Sequence, residues 1–122
     1  MAGELILIVE DNEKNRKLER DILQFHGYRT VEAHTAEEGI RLAQPTPPAL
    51  VLMDIQLPGL DGLEVTRRLR ALSMTKPIVA LTAHAMPGDE RRCIDAGASA
   101  YLPKPVRLRS LVETIDRLLE RS

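Results

Sequence analysis

The sequence predicts an α/β fold, a doubly wound five-stranded parallel sheet, and three observations predict it. Leu5-Ile-Leu-Ile-Val9, Leu50-Val-Leu-Met53 and Ile78-Val-Ala-Leu81 are short, unbroken apolar runs, the pattern of strands covered on both faces. Segments with helical spacing separate them. The alternation repeats along the whole 122-residue chain, giving five βα units, and such alternation argues for right-handed crossovers and an open parallel sheet.

The elements follow in order. After the first apolar run, Asn12 to His26 reads as a helix with Leu18, Ile22 and Phe25 on one face and Gly27 as its stop. A weaker strand fits Tyr28 to Ala33. Thr35 with Glu38 forms a capping box ahead of Ile40 and Ala43. Pro45-Thr-Pro-Pro48 reads as a connecting loop, with Pro48 blocking continuation of that helix. Asp61 with Glu64 repeats the capping pattern before Val65, Leu69 and Leu72. Ala83 to Met86 reads as loop, the expected mobile part, with Pro87 in a first helical turn and Gly97 as the stop. A weak strand over Ala98 to Leu102 leads to the clearest helix, in which Leu108, Leu111, Val112, Ile115, Leu118 and Leu119 make one stripe.

Composition narrows the function. Apolar residues are 43% and charged residues 29%, which fits neither a disordered nor a membrane-embedded chain. The length suits one domain over 1–122. A net charge of −1 exerts no general pull on nucleic acid. Cys93 is the only cysteine, so neither an internal disulfide nor a cysteine zinc site can form. No basic, apolar leader opens the chain and no run approaches a membrane span. The expected compartment is the cytoplasm, with no membrane or nucleic-acid partner.

In a fold of this kind ligands bind beyond the carboxyl ends of the strands. Glu10, Asp11 and Asn12 follow strand 1, Asp54 follows strand 3, Thr82 ends strand 4, and Pro103, Lys104 and Pro105 follow strand 5. Three carboxylates gathered there require an offsetting cation, and hard oxygen donors without His or Cys suit Mg²⁺. Lys104 adds an ammonium and Thr82 a hydroxyl. A nucleophilic carboxylate beside a divalent cation, an ammonium and a hydroxyl suits phosphoryl transfer.

Each residue also has a plainer reading. Glu10 and Asp11 fit a solvated turn capping the first helix, Asp54 a turn former, Thr82 an ordinary strand residue and Lys104 a surface lysine. Tyr101 fits sheet packing. His26, His34 and His84 share no metal-ligand spacing, and Cys93 fits a small buried helix residue. The functional reading rests on their joint placement.

Four segments carry a resemblance. Ile8-Val-Glu-Asp-Asn12, Leu52-Met-Asp-Ile-Gln-Leu-Pro-Gly-Leu-Asp-Gly62, Ala80-Leu-Thr-Ala83 and Lys104-Pro105 resemble the receiver domains of two-component response regulators, in order and at matching spacing. The strand 1 and strand 3 wording, with Ala-Met-Pro-Gly-Asp-Glu at 85–90, resembles stand-alone single-domain regulators of the bacterial cell-division and polarity type. The resemblance implies a (βα)5 flavodoxin-like receiver fold with strand order 2-1-3-4-5. It implies that Asp54 accepts a phosphoryl group from a histidine kinase or phosphotransfer protein. Asp11, Asp54 and the main-chain carbonyl of Gln56 would bind Mg²⁺, with Glu10 acting through water. Lys104 would pair with a phosphoryl oxygen, and Lys104–Pro105 would be a cis bond. Thr82 would bond the phosphoryl group, and Tyr101 would turn inward behind it, changing the surface of helix 4, strand 5 and helix 5 for a downstream protein. Ala83 would leave room for the donor. The implied protein catalyses its own phosphorylation and slow dephosphorylation, rather than being a turnover enzyme, and is a monomer or weak dimer. Helix 5 would turn Arg107, Arg109, Glu113, Arg117 and Arg121 outward. Glu10 stands where the family often has aspartate, which keeps the charge.

Three rivals share the architecture. A flavodoxin-like cofactor module needs a phosphate loop rich in Ser, Thr and Gly after strand 1, where this chain has Glu10-Asp11. A phosphatase resembling the haloacid dehalogenase family needs Asp-x-Asp there. An unphosphorylated adaptor, or pseudo-receiver, has no need to retain Asp54, Asp11 and Lys104.

Overall fold

A computed structural model describes residues 3–44, 47–57, 61–83 and 87–119. Five strands and five helices alternate: β1 (Leu5–Val9), α1 (Glu13–Phe25), β2 (Arg29–Ala33), α2 (Ala36–Leu42), β3 (Leu50–Asp54), α3 (Gly62–Ala71), β4 (Ile78–Thr82), α4 (Asp89–Ala96), β5 (Ala100–Pro103) and α5 (Leu108–Leu118). The strands form one parallel sheet in the order β2-β1-β3-β4-β5. Both the doubly wound architecture and the strand order expected from the sequence are present.

The apolar runs form strands because each has a helix layer on both sides. Ile6, Ile8, Leu50, Leu52, Val79 and Leu81 point to one face, against Ile22 and Leu23 of α1 and Leu111 and Ile115 of α5. Leu7, Val9, Val51, Met53 and Ile78 point to the other, against Ala36, Val65 and Leu69 of α2 and α3. Alternate residues of one run thus serve two cores, so no position in it can be polar. α4 closes the second face through Cys93 and Ala96, packed with Ile55, Leu63 and Ala80.

Capping of α2 and α3 follows the predicted chemistry, and α1 is capped by Asn12 rather than by Glu10 or Asp11. The Asn12 side chain accepts from Asn15 N at 2.9 Å, Thr35 Oγ1 from Glu38 N at 3.1 Å and Asp61 Oδ1 from Glu64 N at 2.9 Å. α3 and α4 end at the edge of the sheet away from these caps. There Arg70 donates to the carbonyls of Met74 (2.7 Å), Lys76 (2.8 Å) and Gly97 (3.0 Å).

Three local expectations need correction. In α1, Ile22 faces inward as expected, but Leu18 and Phe25 are 43% and 85% exposed, and Glu19 and Leu23 lie beside Ile22 in their place. The buried face is thus turned by about one residue from the expected one, with the carboxylate Glu19 at an inward position that an apolar count assigns to solvent. Leu108 begins the α5 stripe but is 53% exposed. α4 starts at Asp89 with Gly88 as its N-cap, so Pro87 lies outside it. Readings that fall on Pro45, Thr46, Pro58, Gly59, Leu60, His84, Ala85, Met86 and Arg121 lie outside the described residues.

Candidate functional site

The carboxyl ends of β1, β3, β4 and β5 bring the sequence-predicted polar residues to one edge. β1 ends at Val9, and Glu10 N still bonds Ala33 O across to β2 at 3.1 Å. The chain then turns into α1, leaving Asp11 exposed while Glu10 is only 1% exposed. Arg16 fixes that turn, with Nη1 donating to Glu10 O at 3.0 Å and Nε to Glu32 Oε1 at 3.0 Å.

Asp54 closes β3 and is 2% exposed. The return of the chain to α3 presses on it from behind. A Cβ added at Gly62 would lie 2.2 Å from Asp54 O and 2.6 Å from Ile55 Cα. Glycine is therefore needed at 62 for close approach, with ordinary helical backbone.

Lys104 follows β5 and joins the two buried carboxylates. Its Nζ lies 2.8 Å from Glu10 Oε1 and 3.1 Å from Asp54 Oδ1. Its backbone N donates to Thr82 O at 2.7 Å, and the Lys104–Pro105 bond is cis. Burial alone would lower the Lys104 ammonium, but the bond with Glu10 and the charge of Asp54 outweigh it and hold it above its ordinary value. Burial pushes the Glu10 carboxyl up, aided by Asp54 and opposed by Lys104. Behind Glu10 stands Glu19, 1% exposed and pushed up to about 9, first by burial and then by the Glu10 charge. Burial and the neighbouring charge thus favour the neutral form of Glu19.

One carboxylate oxygen each from Glu10, Asp11 and Asp54 lies within 4.8 Å of the others. This donor set fits a hard divalent cation: all oxygen, anionic beyond what one lysine offsets, and open on the Asp11 side. Thr82, fully buried at the end of β4, meets the group through Gln56. Gln56 Nε2 donates to Thr82 Oγ1 at 3.0 Å, and Ala83 N donates to Gln56 Oε1 at 2.9 Å. Tyr101 lies apart, half-buried on β5 opposite Ala80 and against the α3–α4 cluster. Cys93 is buried in α4, His26 is half-buried at the end of α1, and His34 is exposed just beyond β2, so none lies at the ends of β1, β3, β4 or β5.

Sequence reasoning missed Glu19, Arg16 and the Gln56 side chain. Glu19 did leave a signal: it sits at i, i+3, i+4 spacing with Ile22 and Leu23, an acid inside an apolar stripe. Arg16 and Gln56 left none, because their contacts join segments that only the fold brings together.

Comparisons with known proteins agree with this geometry. Residues 6–116 match the family model described as the response regulator receiver domain. The polar-differentiation response regulator DivK of Brucella ovis is 44% identical over 116 residues, 93% of this chain and 94% of that protein. A CheY-like receiver from Methanospirillum hungatei superposes with a TM-score of 0.89 at 33% identity, over 98% of this chain and 95% of that one. The receiver domain of a sensor histidine kinase from Pseudomonas aeruginosa has a TM-score of 0.89 at 37% identity, over 98% and 99% of the two chains. That structure is described with a magnesium ion coordinated in its active-site cleft.

Proposed function

The chain belongs to the response regulator receiver family, and on that premise we propose that Asp54 is its phospho-acceptor, working with Mg²⁺ and Lys104 to receive a phosphoryl group from a phosphohistidine. The observation that carries this reading is the Lys104 ammonium, bridging the buried Glu10 and Asp54 carboxylates at 2.8 Å and 3.1 Å.

Asp54 is the carboxylate best placed to react. It is held at a strand end, and its Oδ1 also accepts from Gln56 N at 3.0 Å. A carboxylate oxygen of Asp54 forms a bond to phosphorus as the phosphorus–nitrogen bond of the donor breaks, the electron pair staying on the imidazole. Asp11, Asp54 and the Gln56 main-chain carbonyl would hold Mg²⁺, with Glu10 in support, and the ion would supply charge neutralisation for the phosphoryl oxygens. Lys104 moves its charge from Asp54 to a phosphoryl oxygen, and Thr82 donates its hydroxyl to another. Tyr101 follows Thr82 inward, altering the α4–β5–α5 surface presented to a target protein.

The reading takes residues 1–122 as one receiver domain, acting in the cytoplasm between a histidine kinase or phosphotransfer protein and a downstream protein. Among the described residues no helix is long and apolar enough to cross a membrane. The likeness to DivK favours a stand-alone regulator of the polarity type. Incubation with acetyl phosphate and Mg²⁺, followed by intact-mass measurement, should add one phosphoryl group. EDTA and Asp54→Asn should each abolish it. Unchanged labelling of Asp54→Asn would remove Asp54 as the acceptor.

A further inference from the structure

The Gln56 side chain engages two groups at the end of β4. Its backbone N–H is fixed on Asp54 Oδ1 at 3.0 Å, which directs the side chain across from β3 to β4. Ala83 N–H can only donate, so the carboxamide oxygen must face it, at 2.9 Å. The carboxamide nitrogen then faces Thr82 Oγ1, at 3.0 Å. One exposed side chain thereby ties the loop after β3 to the last residue of β4 and the first beyond it.

Ala83 N–H is a donor that a phosphoryl on Asp54 needs, and Thr82, here an acceptor through Oγ1, carries a hydroxyl that can serve as another. Its oxygens carry no protons, so they must be met by an ammonium, a hydroxyl or a backbone N–H. Asp54 pairs with Leu81 across the β3–β4 ladder, which puts Thr82 and Ala83 next along that edge. We propose that the Gln56 carboxamide is a latch on the resting state: it holds Ala83 N–H and Thr82 in place until an incoming phosphoryl group displaces it. This inference rests on the reading of Asp54 as acceptor.

Displacement is easy in one respect and selective in another. Gln56 is exposed, so its freed amide is met by water. A charged acceptor outcompetes a neutral carboxamide for an N–H, because charge-assisted hydrogen bonds are the stronger. A weaker or badly placed anion does not. The latch would set a threshold that the phosphoryl group must exceed before Ala83 N–H is released to it.

Gln56→Met keeps length and main chain but removes both polar ends, and Gln56→Ala removes the reach. Beryllofluoride with Mg²⁺ is the probe, titrated by NMR against parent and both variants. Its binding should tighten roughly three- to tenfold in each variant, the factor for losing one or two exposed neutral hydrogen bonds. Separately, with no metal or beryllofluoride, the Ala83 amide proton should move upfield and exchange faster in both variants. Unchanged or weaker beryllofluoride binding overturns the latch, as does an unchanged Ala83 amide. Beryllofluoride binding that survives Asp54→Asn instead overturns the acceptor reading, and the Ala83 measurement stands apart from it.

Discussion

Replacing Lys104 by methionine keeps the aliphatic stem and removes the one cation between Glu10 and Asp54. In the parent its Nζ lies 2.8 Å and 3.1 Å from carboxylates that are 1% and 2% exposed. Without it, two buried carboxylates face each other, and the cheapest relief is for one to take a proton. Glu10 is the one to do so, since burial and Asp54 already push it up. Starting from its ordinary value of 4.5, protonation at pH 7 costs about 1.4 kcal/mol per pH unit over about 2.5 units, or about 3.5 kcal/mol. At pH 5 the same step costs under about 1 kcal/mol. The folded variant binds a proton that the unfolded chain has released, so its stability falls as pH rises above the ordinary carboxylate range. Urea unfolding in EDTA at pH 5 and pH 7 measures this. The deficit against the parent should grow by about 3 kcal/mol between the two, and excess Mg²⁺ should recover part of it at pH 7. A deficit equal at both pH values would show that Lys104 acts by packing alone, and the electrostatic account would be wrong.

Asp11→Ala should weaken Mg²⁺ binding about tenfold or more by titration calorimetry, yet change stability by less than about 0.5 kcal/mol, because Asp11 is exposed. Equal Mg²⁺ affinity would make the acidic turn a mere helix cap. Gly62→Ala should lose about 2–3 kcal/mol in denaturant unfolding and slow labelling by acetyl phosphate, since the new methyl meets Asp54 O at 2.2 Å. Parent-like stability there would mean the β3–α3 return yields freely. Glu19, pushed up to about 9, supports the fold as a neutral acid, so the parent should lose stability as pH rises toward that value. Glu19→Gln, neutral throughout, should flatten this slope in metal-free thermal melts, and a slope identical to the parent's would place the titration elsewhere.

The sheet and the strand ends were legible because they obey local rules. A short apolar run with no polar position, alternating with helical segments, fits a doubly covered strand, and the residue after such a strand emerges at the carboxyl edge. Glu10, Asp11, Asp54, Thr82 and Lys104 were found in that way. Capping by Thr35 and Asp61 was legible for the same reason, since both partners lie within one turn. The face of α1 was not. Glu19 is an acid in a buried position beside Glu10, a placement that no apolar count assigns to it. The Gln56 bonds were illegible for a different reason: Gln56 and Ala83 are 27 residues apart, and the contact exists only because β3 and β4 are adjacent.

The two tyrosines give this molecule a built-in optical reporter. The chain has no tryptophan, so ultraviolet emission comes from Tyr28 and Tyr101 alone. Tyr28 is buried with its hydroxyl donating to the Asp116 carboxylate, an arrangement that drains the excited ring through its phenolic proton. Emission therefore comes mainly from Tyr101, half-exposed on the strand beside Thr82. A stopped-flow fluorimeter can follow the state of that one ring in the unlabelled protein, and Tyr101→Leu supplies its blank.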